Sequence, residues 1–305
     1  MGWKLVVHGG AGVIERGSMT AAKDQSVRAG LDRALAAGES GLAAGGSALD
    51  AVEAAVRALE EDPHFNAGRG SVFTWDGGHE LDASIMDGRG RTAGAVAGST
   101  TTRSSVALAR AVMEQSPHVF LSGAGADLFA REAGLEQVPN GWFSTDERRQ
   151  QLERLKADKV SALEVEYKFG TVGAVALDAR GHVAAATSTG GMTGKRWGRI
   201  GDSPIVGAGC YADDRSCAVS ATGHGEYFIQ AAVAHEISAR IRLCGESAQG
   251  AADAVMAEVK ALGGDGGVIV VTPRGEAVTS FNTPGMYRGV ASASGRRVAV
   301  YSDER

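Results

Sequence analysis

Hydrophobic and polar positions follow two different periods along the chain, and these periods predict both strands and helices. Short apolar runs bounded by glycine-rich turns predict buried strands, whereas apolar residues three and four positions apart predict amphipathic helices. The predicted strands span positions 4–7, 72–75, 81–86, 92–97, 172–177, 183–188, 217–220, 268–272, 277–281 and 297–301. The predicted helices span positions 19–42, 48–59, 106–115, 124–133, 145–155, 226–241 and 251–262.

The order of these elements indicates the fold class. Strands and helices come in groups, without the strand–helix–strand rhythm of a parallel sheet, and this order favours a layered α+β fold. The chain has 305 residues, 44% of them hydrophobic, which suffices for one large domain or two ordinary ones with a sizeable core. Its 44 glycines fall in short turn-like groups and show no collagen-like period.

Charge and cysteine content narrow the class of protein. The formal net charge is −5 and no basic run stands out, so nucleic acid is not an expected partner. The three cysteines, Cys210, Cys217 and Cys244, form no C-x-x-C pair, and a sparse, odd count fits a reducing compartment. No apolar run approaches about 18 residues, and the apolar N-terminal run is too short for a signal peptide. We therefore expect a soluble, cytoplasmic protein without a membrane span.

A glycine directly before a threonine, at the start of a predicted strand, is the strongest candidate for chemistry. Gly170 precedes Thr171, and the charged stretch 156–168 upstream is expected to be poorly ordered. If the chain cuts itself between these residues, Thr171 becomes an N-terminus. Its own α-amino group, with a pKa of about 7.7–8.0, can then act as the base for its hydroxyl. The alternative is that the pair simply begins a strand.

Three further stretches could belong to a site, and each has a simpler alternative. Arg199 and Asp202 could clasp the carboxylate and the ammonium of a zwitterion, or form a surface ion pair worth about 0–1 kcal/mol. Thr222 and Gly223 precede a predicted helix whose free N–H groups could stabilise an oxyanion, or they form an ordinary turn. The loop 59–70 could bind a hard cation through backbone carbonyls, or merely connect two elements.

Several common catalytic motifs are incomplete in this sequence. His8-Gly9-Gly10 follows a predicted strand, as in the oxyanion loop of α/β-hydrolases, but no G-x-S-x-G elbow follows it. The stretch 187–195 lacks the glycine and the serine or threonine that a Walker phosphate loop needs at positions 189 and 196. No H-E-x-x-H motif and no paired Cys/His spacing is present. A nucleotide enzyme or a zinc enzyme is therefore not expected.

Several sequence blocks, taken in order, resemble one family. They are HGGAG (8–12), FNAG (65–68), ELDA (80–83), MEQSPH (113–118), GTVGAVALD (170–178), ATSTGG (186–191), GRIGDSP (198–204), TGHGE (222–226) and FNTPGMYR (281–288). Together they resemble the isoaspartyl peptidase/L-asparaginase family, also called plant-type asparaginases, which are N-terminal-nucleophile hydrolases. The resemblance covers nearly the whole chain, and several blocks in the right order are far more specific than any one.

The resemblance implies a fold, a maturation step and an activity. The implied fold is α+β, an αββα four-layer sandwich of the N-terminal-nucleophile hydrolase type, forming a single domain over residues 1–305. Self-cleavage between Gly170 and Thr171 would divide the chain into an alpha subunit, 1–170, and a beta subunit, 171–305. Two such cleaved units would pair as a dimer. The implied substrates are the small molecules L-asparagine and β-aspartyl (isoaspartyl) dipeptides, and no organic cofactor is implied.

The resemblance also implies roles for individual residues. Thr171 would attack the side-chain carbonyl of the aspartyl group, and Thr189 would hold the hydroxyl and amine of Thr171 in place. Thr222 and the Gly223 N–H would bind the oxyanion. Arg199 would bind the substrate α-carboxylate, and Asp202 would bind its α-ammonium. Asn66 would lie beside the nucleophile. A structural sodium ion would be bound mainly by the backbone carbonyls of Leu59, Glu60, Asp62, Phe65, Ala67 and Arg69.

One residue needs separate comment, and three alternatives stay open. His224 places a bulky titratable group beside Thr222 and Gly223, where it could tune the leaving-group preference or the pH profile. A glycosylasparaginase shares the nucleophile chemistry but usually works in a secretory or lysosomal setting. A taspase-like endopeptidase would need long insertions. An uncleaved amino-acid-binding protein would keep the clasp of Arg199 and Asp202 without using Thr171.

Overall fold

Strands and helices are spread over both halves of the chain, which a computed structural model describes at residues 2–158 and 170–304. The strands are β1 (Lys4–Gly12), β2 (Leu81–Asp87), β3 (Thr92–Ser99), β4 (Phe120–Ser122), β5 (Val172–Leu177), β6 (Val183–Thr189), β7 (Cys210–Asp213), β8 (Cys217–Gly223), β9 (Gly266–Val271), β10 (Ala277–Phe281), β11 (Gly285–Ser292) and β12 (Gly295–Tyr301). The helices are α1 (Ala21–Ala43), α2 (Ala48–Glu60), α3 (Ser105–Gln115), α4 (Gly123–Glu132), α5 (Asp146–Asp158), α6 (Gly225–Gln230), α7 (Val233–Cys244) and α8 (Ala248–Ala261).

The described strands form two sheets. The larger has eight strands in the order β12-β11-β1-β5-β6-β2-β3-β4, and the smaller has four in the order β10-β9-β8-β7. Neighbouring strands are antiparallel, except that β4 runs parallel to β3. In the middle of the larger sheet, Val172 of β5 lies opposite Ser188 of β6. This register brings the beginning of β5 beside the end of β6.

Alternate residues of β1 show how the layers stack. Leu5 and Val7 belong to the core shared with α1 and α2, whereas Val6 belongs to the core between the two sheets. A further core joins α7 and α8 to the other face of the smaller sheet. The layers are therefore helix, sheet, sheet and helix, which confirms the predicted αββα sandwich.

Helix α2 begins where the sequence predicts and lies directly behind the central strands. The Ser47 hydroxyl accepts a hydrogen bond from the Asp50 N–H at 3.1 Å, and such caps contribute about 1 kcal/mol. The helix buries an apolar stripe that includes Leu49, Val52, Val56 and Leu59. Since α2 packs against β5 and β6, its burial supports the two strands that flank the predicted cleavage site.

Two predictions in the N-terminal half are wrong. The segment 72–75 is not a strand, because the Val72 N–H donates to the Asn66 side chain and only Thr74 makes an isolated bridge, to Lys195. The segment from His8 to Gly12, predicted as a loop, instead continues β1 and pairs with β11. The pairing is irregular between His8 and Gly10.

The helix predicted at 226–241 is also wrong as a single element. It is two helices, α6 and α7, because Ala232 adopts a left-handed backbone with φ of 46°. The sequence patterns do not predict β4, β7 or β11. Strand β11 contains Gly285 and Gly289, which interrupt the apolar alternation that marks a strand.

The described residues also bear on two expectations about the chain as a whole. No helix within residues 2–158 and 170–304 is long and apolar enough to cross a membrane. The stretch 156–168, for which the sequence predicts poor order, lies outside the described residues at positions 159–168. Positions 156–158 end helix α5.

Candidate active site

The predicted cleavage site lies where β5 begins and β6 ends. Because Val172 pairs with Ser188, the preceding Thr171 comes beside Thr189. The Thr171 hydroxyl donates a hydrogen bond to Thr189 Oγ1 at 3.2 Å, and both residues are buried. The hairpin register thus brings the predicted nucleophile into contact with the residue predicted to hold it.

Asn66 ties three segments together around Gly170. Its backbone N–H donates to the Gly170 carbonyl oxygen at 3.0 Å, and its carbonyl accepts from the Gly190 N–H at 3.1 Å. Its side-chain amide donates to the Gly191 carbonyl at 2.7 Å. A Cβ at Gly170 would lie 2.7 Å from Asn66 Cβ, so only glycine allows this approach. The structure therefore places Asn66 against the carbonyl side of the Gly170–Thr171 bond.

Thr222 and Gly223 end β8 on the facing sheet. Thr222 Oγ1 is buried and has no hydrogen-bond partner in the described part of the chain. No protein group among the described residues competes for this hydroxyl, so it is available to pair with a bound group. Gly223 lies close to the next strand, where a Cβ would come 2.4 Å from the Asp265 carbonyl oxygen. This geometry suits the oxyanion role implied by the resemblance.

The Arg199 guanidinium is held by a carboxylate that the sequence did not single out. Its Nε and Nη2 donate to the two carboxylate oxygens of Glu226 at 2.9 and 3.0 Å. This side-on pairing uses one edge of the guanidinium. The two hydrogens of Nη1 and one hydrogen of Nη2 are left to donate to another group. Arg199 is therefore oriented by Glu226, and it is not in an ion pair with Asp202.

Asp202 is a buried carboxylate whose Oδ2 lacks a hydrogen-bond partner within residues 2–158 and 170–304. Burial raises the pKa of Asp202 to about 7, although the Arg199 guanidinium opposes the shift. A cationic ligand such as an ammonium group would supply both the missing donor and the missing positive charge. The arrangement thus fits the ammonium half of the predicted clasp.

One cleft brings most of the predicted site residues together. Its lining residues are Gly170, Thr171, Thr189, Gly191, Met192, Arg199, Gly201, Asp202, Ser203 and Gly223. Asn66 and Thr222 are not part of this lining, although Asn66 contacts Gly170 and Thr222 directly precedes Gly223. The cleft therefore brings together a hydroxyl, a guanidinium and a carboxylate, and in the uncut chain its volume of about 10 Å³ is room for about one water molecule.

The predicted cation loop begins in the last turn of α2 and buries the side chains of Glu60 and Asp62, whereas Glu61 is exposed and pairs with Arg103. The Glu60 carboxylate is buried and accepts hydrogen bonds from the Ser104, Ser105 and Ser188 hydroxyls and from the Val106 N–H. Burial raises the pKa of Glu60, and these donors oppose the shift. Since Ser188 directly precedes Thr189, this carboxylate also connects the loop to the active-site strand.

Three of the six carbonyl oxygens predicted to bind the cation already accept a backbone hydrogen bond: Leu59 from Asp62 at 3.2 Å, Glu60 from Arg69 at 2.7 Å and Asp62 from Phe65 at 3.2 Å. The Asp62 carboxylate accepts from Arg33 at 2.7 Å and from the His64 N–H at 3.0 Å. A Cβ at Gly70 would lie 2.5 Å from the Pro63 carbonyl oxygen and 2.8 Å from that of Phe65. No cluster of three or more His, Cys, Asp or Glu side chains that could hold a metal occurs in the described residues. Each carbonyl oxygen has two lone pairs, so these oxygens keep acceptor capacity for a hard cation.

His224 anchors the turn that follows Gly223. Its N–H donates to the Asp265 carbonyl oxygen, and its Nδ1 accepts from the Asp265 N–H, both at 2.9 Å. Burial lowers the pKa of the His224 imidazole, against the opposing charges of Asp265 and Glu226. Because Nδ1 must be unprotonated to accept, His224 acts here as a neutral anchor of the Thr222–Gly223 turn.

Three contacts of the site escape sequence reasoning because they join residues far apart in the chain. Glu226 holds Arg199, Glu60 holds Ser188, and His8 Nδ1 lies 3.1 Å from the Thr171 carbonyl oxygen. The only sequence feature that points to Glu226 is its place at the end of the TGHGE block, one of the blocks that resemble the family. Nothing in the local pattern assigns a partner to the His8 or Glu60 side chains.

Known proteins match this sequence over almost its full length. A family profile described as "Asparaginase" matches residues 1–300. An isoaspartyl peptidase of Escherichia coli (strain K12) is 49% identical over 294 residues, covering 93% of this chain and 91% of that protein. An isoaspartyl peptidase/L-asparaginase of Homo sapiens is 43% identical over 284 residues, covering 92% of this chain and 91% of that protein. By both the profile and these relatives, the chain belongs to the asparaginase family.

Proposed function

We propose that this chain is an N-terminal-threonine amidohydrolase that matures by cutting itself between Gly170 and Thr171. The mature enzyme releases L-aspartate from β-aspartyl dipeptides and from L-asparagine. One observation carries the proposal: the Thr171 hydroxyl, bonded to Thr189 at 3.2 Å, shares a cleft with Arg199 and Asp202. The printed names of the relatives, isoaspartyl peptidase and isoaspartyl peptidase/L-asparaginase, support the choice of substrates.

In the maturation step, the Thr171 hydroxyl oxygen attacks the Gly170 carbonyl carbon. The peptide C–N bond breaks as the ester C–O bond forms, and the hydroxyl proton ends on the departing nitrogen. Water then hydrolyses the ester, which leaves a carboxylate on Gly170 and an α-amine on Thr171. The Asn66 N–H, 3.0 Å from the Gly170 oxygen, stabilises the negative charge that builds on that oxygen.

In the hydrolytic cycle, the free α-amine of Thr171 takes the proton of its own hydroxyl as the oxygen attacks the substrate's side-chain carbonyl. The Thr222 hydroxyl and the Gly223 N–H stabilise the oxyanion, and the leaving amine departs with the proton. Water hydrolyses the resulting ester and frees aspartate. The unpaired, buried state of Thr222 Oγ1 supports this role, since the oxyanion gives it the partner it lacks.

Recognition of the aspartyl group follows from the two charged residues of the cleft. The free edge of Arg199, set by Glu226, can form two parallel hydrogen bonds with the α-carboxylate. The unpaired Oδ2 of Asp202 can accept from the α-ammonium. A substrate whose α-amine is blocked by a peptide bond leaves Asp202 buried and unpaired, so we expect such substrates to bind poorly.

Two features beyond the cleft complete the proposal. The loop carbonyls of Leu59, Glu60, Asp62, Phe65, Ala67 and Arg69 would hold a structural sodium ion, as the resemblance implies. The inward-turned carboxylates of Glu60 and Asp62 support a site built from main-chain oxygens. Two cleaved units would pair, so that the mature protein has about twice the mass of one 305-residue chain in light scattering.

Intact mass spectrometry under denaturing conditions, together with hydrolysis of β-Asp-Leu, tests this proposal. The expected masses are two, one chain ending at Gly170 and one beginning at Thr171, and the mature protein releases leucine. The Thr171→Ala variant should remain full-length and inactive. A wild-type mass that stays undivided for days would overturn the maturation step and favour the amino-acid-binding protein. Full activity in Thr171→Ala would overturn the nucleophile assignment.

A further inference from the structure

A fully buried histidine contacts the main chain of the predicted nucleophile from the neighbouring strand. His8 on β1 lies opposite Gly173 of β5, and its Nδ1 is 3.1 Å from the Thr171 carbonyl oxygen. A carbonyl oxygen only accepts, so Nδ1 carries the hydrogen of this bond. The paired register between β1 and β5 ends at His8 and Gly173, so the imidazole reaches Thr171 two residues beyond the last paired position.

The imidazole is itself fixed from the facing sheet. Its Nε2 lies 2.9 Å from Ser220 Oγ on β8, and Ser220 Oγ lies 2.7 Å from Thr187 Oγ1 on β6. All three side chains are fully buried. Burial lowers the pKa of His8 to about 3, so the ring is neutral and Nε2 accepts from the Ser220 hydroxyl. The ring therefore has one tautomer and one orientation, with its N–H directed at Thr171.

Gly173 makes room for this arrangement. A Cβ at that position would lie 2.0 Å from Ser220 Oγ and 2.4 Å from His8 Nε2. These distances are far inside van der Waals contact, so any side chain at position 173 would displace the pair. The conformation of β5 next to the nucleophile is thus compatible with the His8–Ser220 contact only when residue 173 is glycine.

We propose that His8 is a positioning residue that holds the carbonyl group of Thr171 after Thr171 has become a chain end. This inference rests on the proposed function. In the uncut chain, Thr171 is also held from its N-terminal side, through the Gly170 carbonyl and its bond to the Asn66 N–H. The cut removes that restraint. The main chain of Thr171 is then held by its link to Val172, where the ladder with β6 begins, and by His8.

The role of His8 therefore differs between the two reactions of Thr171. During the cut, the attacking and attacked groups belong to adjacent residues of one chain, which limits how far they can separate. During turnover, a mobile chain end must present both its amine and its hydroxyl to a separate substrate. Small misplacements of reacting groups cost large factors in rate. Loss of the His8 hydrogen bond should thus lower kcat of the cut enzyme more than it lowers the extent of cutting.

The variants His8→Leu and His8→Asn provide a matched test. Both side chains branch at Cγ and have nearly the same shape, but only asparagine can place an N–H near the position of Nδ1. The cut fraction is followed by intact mass until it is constant, and kcat and KM for β-Asp-Leu are then measured on cut protein. We expect kcat of the Leu variant to fall about tenfold or more and that of the Asn variant about threefold. KM should change less than about threefold in both, since His8 does not touch substrate.

Several other results would overturn the inference about His8. Equal losses in the two variants, with equal thermal midpoints, would mean that the N–H of residue 8 is not what matters and would overturn the inference. So would a Leu variant that stays uncut while the Asn variant matures, because His8 would then act before the cut. If His8→Leu does not fold, Ser220→Ala replaces it: it keeps the imidazole but removes the hydroxyl that orients it. An unchanged kcat in Ser220→Ala would also overturn the inference.

The wild-type protein in the same assay separates this inference from the function on which it rests. A wild type that neither cuts itself nor releases leucine overturns the proposed function and this inference together. A wild type that does both, alongside a cut Leu variant of equal kcat, overturns the role of His8 alone.

Discussion

Three of the buried polar side-chain atoms without a hydrogen-bond partner in the described residues lie at this site; the others are Asp82 Oδ2 and Arg242 Nε. Thr222 Oγ1, Asp202 Oδ2 and Ser203 Oγ have no partner in the described chain, and Asp202 and Ser203 line the cleft. Leaving a buried polar group unpaired costs about 1–3 kcal/mol. A substrate that places polar atoms against these groups avoids that cost, and this favours an α-amino acid over an apolar ligand.

The raised pKa of Asp202 predicts how product binding depends on pH. Only the ionised carboxylate attracts the α-ammonium, and in the free site the pKa of this group is about 7. As the pH falls below about 7, the carboxyl takes up a proton, so the affinity for L-aspartate should fall by up to about tenfold per pH unit. The measurement is the inhibition constant of L-aspartate between about pH 5.5 and 8.

The matched control for this titration is Asp202→Asn. It should bind L-aspartate more weakly at every pH, and its inhibition constant should lack the rise seen in the wild type below about pH 7. The charged groups that act on Asp202 are Arg199, Glu226 and Asp82, and the variant keeps all three. A wild-type inhibition constant that does not vary with pH would contradict the assignment of Asp202 to the ammonium.

Glu226→Gln tests the orientation of Arg199. An amide keeps the shape but presents an N–H₂ group to one of the two guanidinium donors, so the two parallel hydrogen bonds are lost. We expect KM for β-Asp-Leu to rise about tenfold, or about 1.4 kcal/mol, with a smaller change in kcat. Glu236→Gln, which changes a half-exposed glutamate 3.5 Å from Arg240 on α7, serves as the control and should leave both constants unchanged. An unaltered KM in Glu226→Gln would mean that Arg199 is oriented without it.

Sequence reasoning reached those site residues whose chemistry is local. The sequence pattern predicts Gly170 with Thr171, and Arg199 with Asp202, because each pair is close in the chain and the proposed chemistry requires these residue types together. Glu226 and His8 were missed because their partners are 27 and 163 positions away, and only the folded sheets bring them together. The family resemblance supplied the roles of Thr189 and Asn66, which no local pattern assigns, whereas the turn before a predicted helix already suggested an oxyanion site at Thr222 and Gly223.

At the scale of elements, helical and alternating periods predicted most of the structure, and the failures have physical causes. Segment 72–75 reads as a strand, but its N–H groups pair with a side chain and a turn instead of a neighbouring strand. Strand β11 pairs on both sides, with β1 and β12, and this burial outweighs the low strand preference of its glycines. Such pairing is long-range, so a window of sequence cannot detect it.

The break between α6 and α7 predicts a stabilising substitution. Ala232 has a φ of 46°, a left-handed backbone that costs an L-residue about 1–2 kcal/mol and glycine almost nothing. Ala232→Gly should therefore raise the free energy of unfolding by about 1 kcal/mol, measured by urea denaturation in the uncut Thr171→Ala background. Ala257→Gly, at an exposed position within α8, should lower it by about 1 kcal/mol. A loss of stability in Ala232→Gly would show that its methyl group contributes more than its backbone strain.

At the scale of the whole molecule, the cation loop predicts a dependence of stability on sodium. An ion that binds only the folded protein stabilises it by about 2.7 kcal/mol when present at 100 times its dissociation constant. Replacing sodium with tetramethylammonium at constant ionic strength should therefore lower the thermal midpoint, and returning sodium should restore it. Because Glu60 joins the loop to Ser188, kcat should fall together with stability. Equal midpoints in the two salts would exclude a sodium site that contributes to stability.

Strands from the two proposed subunits alternate within the larger sheet. Strand β1, from the N-terminal part, lies between β11 and β5 of the C-terminal part. Strands β2, β3 and β4 form one end of the same sheet and join it through the pairing of β2 with β6. The smaller sheet belongs wholly to the C-terminal part, but in the larger sheet each part contributes strands on both sides of the other.

This interleaving implies that folding comes before the proposed cut. The hairpin of β5 and β6 that brings Thr171 to Thr189 is completed by strands from both sides, so the chain must fold before it can be cut. If the chain is cut as proposed, the two pieces should stay together on dilution, because separating them means opening the larger sheet along three strand pairs: β11–β1, β1–β5 and β6–β2. The proposed cut would therefore occur only in folded chains, and the two halves should be difficult to reassemble if they are made as separate polypeptides.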